Sequence, residues 1–285
     1  MTLIELLITR QNYPVEKLRL VLEQFNNILI AQVDNLHTQG TQVLFWQRHL
    51  EGLFVKLSFK ISSVIKLLDR TPISYGDKSV QVFDISSIYI LTRAIIENYL
   101  IIYYLHFDNV DDIRKEFRFI IYTIDGLRRR QQDLKPFDED SRKILSNENA
   151  DLETLRQKLE HNIFFKSLNS KAQKNYLNGC AKEGTLTDLL QTIDIKEETY
   201  KDIWHLQSSY AHSEFISLHQ LRAYYKDLSQ LDKSAYLMGE LIAAIISISI
   251  NHLNMNFKAA RKINDRINSE TLKLLGYFYE QGKKN

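Results

Sequence analysis

Ile85-Ser-Ser-Ile-Tyr-Ile-Leu-Thr-Arg93-Ala-Ile-Ile-Glu97-Asn-Tyr-Leu-Ile-Ile-Tyr-Tyr-Leu105 decides the fold. The stretch runs 21 residues without Gly or Pro. Apolar side chains recur on every face at 100° per residue, which is the pattern of a helix packed on all sides. A bilayer span needs about 20 apolar residues with few or no charges, and here Arg93 and Glu97 stand in the middle. The stretch therefore reads as a core helix of a soluble protein. The shorter apolar run 241–250 reads the same way, so no membrane contact is expected.

Composition extends this conclusion to the rest of the chain. Among 285 residues there are 9 Gly and 3 Pro. Sheet sandwiches, barrels and doubly wound folds need many tight turns, and turns draw on Gly and Pro. An all-α fold is expected, a bundle of about nine to eleven helices with no substantial sheet. The same scarcity excludes Gly-rich phosphate loops and dinucleotide fingerprints, and no nucleotide cofactor is expected. Lys and Arg number 37 against 35 Asp and Glu, so bulk basicity does not drive nucleic-acid binding. The densest basic run, Arg128-Arg129-Arg130, fans around about 300° of a helix and reads as solvated surface. Cys180 is the single cysteine. It cannot form an intramolecular bridge and reads as a loop thiol. With no basic leader at Met1-Thr-Leu-Ile-Glu5, a reducing cytoplasm is the expected compartment.

Working outward, Pro14 suits a first helical turn, and 15–36 carries the i, i+3, i+4 stripe Leu18, Val21, Leu22, Phe25, Ile28, Leu29, Val33. Thr41 is placed to cap a second helix ending before Pro72. Residues 71–79, with Pro72 and Gly76, read as a loop. Asp84 suits the N-cap of the decisive helix. Asp108 or Asn109 suits the cap of the next, which runs to about 133. Pro136 and the acidic 138–140 form a joint near 134–140, followed by two shorter helices split near 147–149. Further helices are expected at 169–179, 184–193, 197–213, 230–267 and 269–281. The chain reads as a single helical domain, 1–285, with room for lobes on either side of that joint.

The chemistry concentrates on Arg93 and Glu97. They are four apart and share a face. An ionised group in an apolar setting is costly unless it is paired and hydrogen-bonded. One mutual contact leaves most of the guanidinium's five donors unsatisfied, so other polar groups are expected to converge. The best source is Tyr200-Lys-Asp-Ile-Trp-His-Leu-Gln-Ser208-Ser-Tyr210-Ala-His212, where Ser208 and His212 are i, i+4. A structural network that fixes helix register is one outcome. The other is a site, with His212 as acid and base, Glu97 orienting it, Arg93 binding an anionic group and Ser208 beside them.

Arg93-x-x-x-Glu97 with downstream Tyr200, Ser208 and His212 resembles an all-helical family of bacterial proteins classed as a domain of unknown function, over about 79–217. The resemblance implies a helical fold and no particular activity. Arg156-Gln-Lys-Leu-Glu-His161 resembles the Arg-x(4–6)-His motif of the HEPN superfamily of helical ribonucleases. It implies a metal-independent ribonuclease in defence or toxin function, with RNA as partner. Taken by themselves, Arg156 and His161 read as surface residues of a helix. Fold likeness alone is weak warrant for function.

His205, His212 and His219 recur every seven residues, about 10.5 Å apart along a helix. Consecutive members cannot share one metal ion at ligand distances near 2 Å, and no metal site is expected. With 15 Tyr and 14 Phe, core packing and partner contact are expected before base stacking, and a homodimer is a natural assembly. Two functions therefore stand at this point: a HEPN-like ribonuclease, or a non-enzymatic interaction module with a protein partner.

Overall fold

The structure, a computed structural model, describes residues 14–133, 136–193, 195 and 197–283, and residues 1–5, on which the reading of the compartment drew, lie outside them. Side chains at 75, 186, 192, 197–202 and 225 are also outside the description. The fold is all-α. Thirteen α-helices are present among the described residues, joined by a 3-10 turn, a π turn and one β-hairpin. The number exceeds nine to eleven because Phe215–Lys226 forms a helix outside the expected set and the expected 230–267 helix is divided at Phe257. The helices sort into two compact units.

The first unit comprises residues 1–42, 50–102 and 193–285. It holds α1 (Val15–Thr38), α2 (Leu50–Leu67), strands β1 (Thr71–Tyr75) and β2 (Lys78–Val82), and α3 (Ile85–Ile102). The later helices in this unit begin with α9 (Glu197–Ala211), α10 (Phe215–Lys226) and α11 (Leu228–Asn256), and end with α12 (Lys258–Asn264) and α13 (Ser269–Gly282). Its core is built from Leu18, Leu22 and Phe25 of α1, Phe54 and Ile61 of α2, Ile95 and Tyr99 of α3, and Ile242 and Ile246 of α11, all essentially solvent-free. Each such side chain contributes about 1.5–3 kcal/mol on burial. Helix α11 is buried continuously from Leu241 to Ile250, as its unbroken apolar run requires.

Two helical stretches, Ile85–Phe107 and α11, have the length and mean hydropathy (1.4 and 1.5) of membrane spans. They are buried inside the protein over 56% and 78% of those windows, which is consistent with core helices of a soluble protein.

Gly239 marks the close approach of α11 to α1. A Cβ there would lie 2.7 Å from Leu18 Cδ2, itself solvent-free. Gly239→Ala gains about 1 kcal/mol of helix propensity but overpacks the seam by about 1–3 kcal/mol. A net destabilisation in urea unfolding is the expected outcome.

Local sequence explains most boundaries. Asp84 caps α3 by accepting from the Ser87 amide at 3.1 Å. At 71–79 the expectation of a loop is corrected, because β1 and β2 pair antiparallel from Thr71–Val82 to Tyr75–Lys78. The two-residue turn Gly76-Asp77, with Gly76 at φ 57°, is a hairpin signal, and Pro72 obscured it. Thr41 does not cap a helix. The 3-10 turn Phe45–Gln47 intervenes, and α2 starts at Leu50.

The second unit comprises 43–49 and 103–192. It holds the 3-10 turn, the π turn Tyr103–Phe107, α4 (Asp112–Asp133), α5 (Glu139–His161), α6 (Ile163–Ser167), α7 (Ser170–Leu177) and α8 (Leu186–Thr192). Phe117, Ile120, Ile121 and Ile124 of α4 pack with Leu152, Leu155 and Leu159 of α5, Phe165 of α6 and Trp46. The expected cap at Asp108 or Asn109 is instead Asp111, which accepts from the Arg114 amide at 2.8 Å. No break occurs at 147–149. Glu148 is buried and pairs with Arg130 at 3.1 Å, and Gln131 donates to Asn149 at 3.1 Å. These ties to α4 carry α5 straight through. Residues 136–140 lie within this unit.

Candidate functional site

Arg93 and Glu97 pair as their spacing requires, Nε to Oε1 at 3.0 Å. Their setting differs from expectation, since the side chains are 22% and 36% exposed. Helix α3 is apolar all round, yet one stripe (Ile90, Arg93, Ala94, Glu97, Ile101) is its least buried. The charges lie on that stripe. The Arg93 guanidinium carbon sits 4.9 Å from the ring centre of Trp204 on α9, a cation–π contact. From α2, Lys60 Nζ donates to the Ala94 carbonyl at 2.8 Å and to Asn98 Oδ1 at 3.2 Å. Asn98 Nδ2 donates to the Leu53 carbonyl at 3.0 Å. Burial lowers the Lys60 pKa, Lys56 lowers it further, and Glu97 opposes both. This is an arrangement that ties α2, α3 and α9 together.

His212 does not join it. Helix α9 ends at Ala211 and His212 stands in the following turn, its amide still donating to the carbonyl of half-buried Ser208 at 3.0 Å. His212 is exposed, and no hydrogen bond among the described residues links it to Glu97. The Tyr200 side chain lies outside the described residues. The polar groups that α9 and α10 do bring inward include Gln207, Ser217 and a cluster of tyrosines. Tyr89 and Tyr224 hydroxyls lie 3.2 Å apart, Ser234 Oγ donates to Tyr224 at 3.2 Å, and the Tyr210 ring packs 4.7 Å from Tyr89. Burial pushes the Tyr89 and Tyr210 hydroxyls well above their ordinary pKa.

Among the described residues the most enclosed charge is Arg118 on α4, whose side chain is 6% exposed. Its Nη1 donates to Asp108 Oδ2 at 2.6 Å and to the Tyr104 carbonyl at 3.0 Å, and its Nε donates to Glu183 Oε2 at 2.6 Å. The guanidinium also lies 4.2 Å over the Tyr104 ring. One turn earlier Arg114 adds a fork to Glu183, Nη2 to Oε1 at 2.8 Å, and the Glu183 amide donates to Tyr104 Oη at 2.9 Å. Burial works to lower the Arg118 pKa, but the bonds to Glu183 and Asp108 outweigh it and raise the pKa. Two carboxylates on two cations leave the network near neutrality, so it anchors the segment around Glu183 to α4.

Sequence reasoning missed this network. The signal that flagged Arg93 was also present in Phe117-Arg118-Phe119-Ile120-Ile121, one charge inside an apolar run.

Arg128, Arg129 and Arg130 diverge as their 100° steps require. Arg128 Nη1 donates to the Leu177 carbonyl at 3.0 Å, Arg129 Nε meets Asp125 at 2.8 Å, and Arg130 meets Glu148. His161, at the end of α5, donates from Nδ1 to the Gln157 carbonyl at 2.6 Å on an exposed face, while Arg156 is half-buried. His205, His212 and His219 fall on α9, a turn and α10. Among the described residues no three His, Cys, Asp or Glu side chains gather as metal ligands. Cys180 is exposed, its Sγ 3.4 Å from the Lys182 carbonyl. Comparison with family models, with curated proteins and with solved structures finds no match to this chain.

Proposed function

We propose that the protein is a cytoplasmic, non-enzymatic helical interaction module that self-associates through α10. One observation carries this. Helix α10 buries two polar side chains and exposes three large apolar ones in its first turn, beside exposed His219 and Arg222. Ser217 and Tyr224 are buried, Tyr224 within the tyrosine network, while Phe215, Ile216 and Leu218 are 78%, 45% and 54% exposed. Phe215, Leu218 and Arg222 are spaced three and four apart and share the outer stripe. Apolar clusters on a surface mark contacts with partners, and the cluster of Phe215, Ile216 and Leu218 can pack on its own copy across a two-fold axis. A second copy of the chain is therefore the occupant. The Arg93–Glu97 pair is structural in this reading, locked to Trp204.

Sedimentation equilibrium tests the reading. The wild type is expected to dimerise at micromolar concentration. Phe215→Glu with Leu218→Glu is expected to be monomeric with unchanged helical circular dichroism, because charges at the centre of an apolar interface cost several kcal/mol. A wild type that stays monomeric overturns self-association. Metal-independent RNA cleavage that disappears in His212→Ala overturns the non-enzymatic reading in favour of the ribonuclease.

A further inference from the structure

The second unit contains a polar cleft of about 360 Å³ lined by Asp125, Arg128, Arg129 and Gln132 of α4 and by Asn178 and Gly179 after α7. That volume lies within the range of small-molecule sites. Two guanidinium groups against one carboxylate leave a net positive charge in its walls. Each cation already has one anchor, Arg128 on the Leu177 carbonyl and Arg129 on Asp125 Oδ2. Those anchors hold the planes in place and use one donor group of each. The remaining guanidinium nitrogens, with the Gln132 and Asn178 amides, form a donor-rich wall.

Asp125 is 10% exposed at its side chain, and Oδ2 takes the Arg129 bond. Its Oδ1 accepts no hydrogen bond from the described residues and faces Gly179. A Cβ on Gly179 would come 3.7 Å from that oxygen and 3.4 Å from Arg128 Cδ. Gly179 holds φ 96°, a conformation other residues adopt only with strain, so the floor stays bare.

Forked donors match a phosphate, and a free carboxylate oxygen beside them matches a hydroxyl donor. The α7 carbonyl end opposes an anion, but Arg128 caps it. We infer that this cleft binds a small hydroxylated phosphate monoester, with Arg128 and Arg129 on the phosphate and Asp125 Oδ1 accepting from a ligand hydroxyl.

Calorimetric titration of the full chain with ribose 5-phosphate tests this. Saturable binding below about 1 mM is expected. Arg129 is 74% exposed, so Arg129→Ala keeps the fold and is expected to weaken binding about tenfold. Gln132→Glu, also at the surface, is expected to do the same by repulsion. Asp125→Asn is expected to lower the affinity for ribose 5-phosphate relative to that for inorganic phosphate. Lack of saturation up to about 10 mM, or unaltered affinity in both Arg129→Ala and Gln132→Glu, overturns the proposal. Binding of a short single-stranded RNA without binding of ribose 5-phosphate also overturns it, assigning the charge to a polymer backbone.

Discussion

Replacing Arg118 with alanine is expected to destabilise the second unit by about 3–5 kcal/mol, the cost of breaking a buried ion pair from one side. The loss has three parts. Asp108 and Glu183 keep their charges with Arg118 gone, the Tyr104 carbonyl loses a donor, and the Tyr104 ring loses the cation over its face. Arg114 still meets Glu183, so the defect centres on Asp108.

The two tryptophans allow a clean measurement, because Trp46 belongs to the second unit and Trp204 to the first. Urea unfolding followed by Trp46 emission in a Trp204→Phe background reports the effect. Arg93→Ala, read from Trp204 in a Trp46→Phe background, is the comparison. Its partly exposed pair and cation–π contact together contribute about 1 kcal/mol. If Arg118→Ala costs no more than Arg93→Ala, the Arg118 network does not anchor the unit.

Acid is expected to unfold the second unit through His106. This side chain lies in the π turn, buried, with both ring nitrogens lacking hydrogen-bond partners and its ring stacked 6.1 Å from Trp46. Burial lowers its pKa to about 3, helped by His49 and Lys115, the charged or titratable neighbours that face it. In the unfolded chain the imidazole titrates near its ordinary 6.5.

Between those values the unfolded state binds a proton that the folded state excludes. The stability is therefore complete above about pH 6.5 and falls by about 1.4 kcal/mol per pH unit toward pH 3. His106→Phe keeps the stack on Trp46 and removes the titration. Its stability between pH 6.5 and 4 should be markedly flatter than the wild type when both are read from Trp46. Identical slopes would show that protonation of His106 does not drive the loss. In the first unit, half-buried His252, with its pKa lowered to about 4 by burial, sets a separate acid limit visible at Trp204.

Parts of this behaviour were legible in the residues alone. The stripe on α1, the cap at Asp84 and the pairing of Arg93 with Glu97 all depend on residues within four positions of one another. A 3.6-residue period and the geometry of orphan amides determine such features wherever the helix is placed. The outward side of α3 was not legible. Apolar residues surround that helix, and its least buried stripe depends on what arrives from α2 and α9. His212 escaped for a related reason. Its spacing to Ser208 is kept, with the His212 amide donating to that carbonyl, but its side chain is exposed, and exposure depends on packing rather than on spacing.

By itself, the sequence determined an all-helical chain almost without Gly or Pro, whose sites must be assembled from side chains projecting off helices. The tertiary structure decided which of those side chains meet. Arg118 finds Glu183 across 65 positions and Asp108 across ten. The physical reason is that local periodicity orients a side chain around its own axis, whereas ion pairs, buried imidazoles and clefts depend on the packing of distant helices.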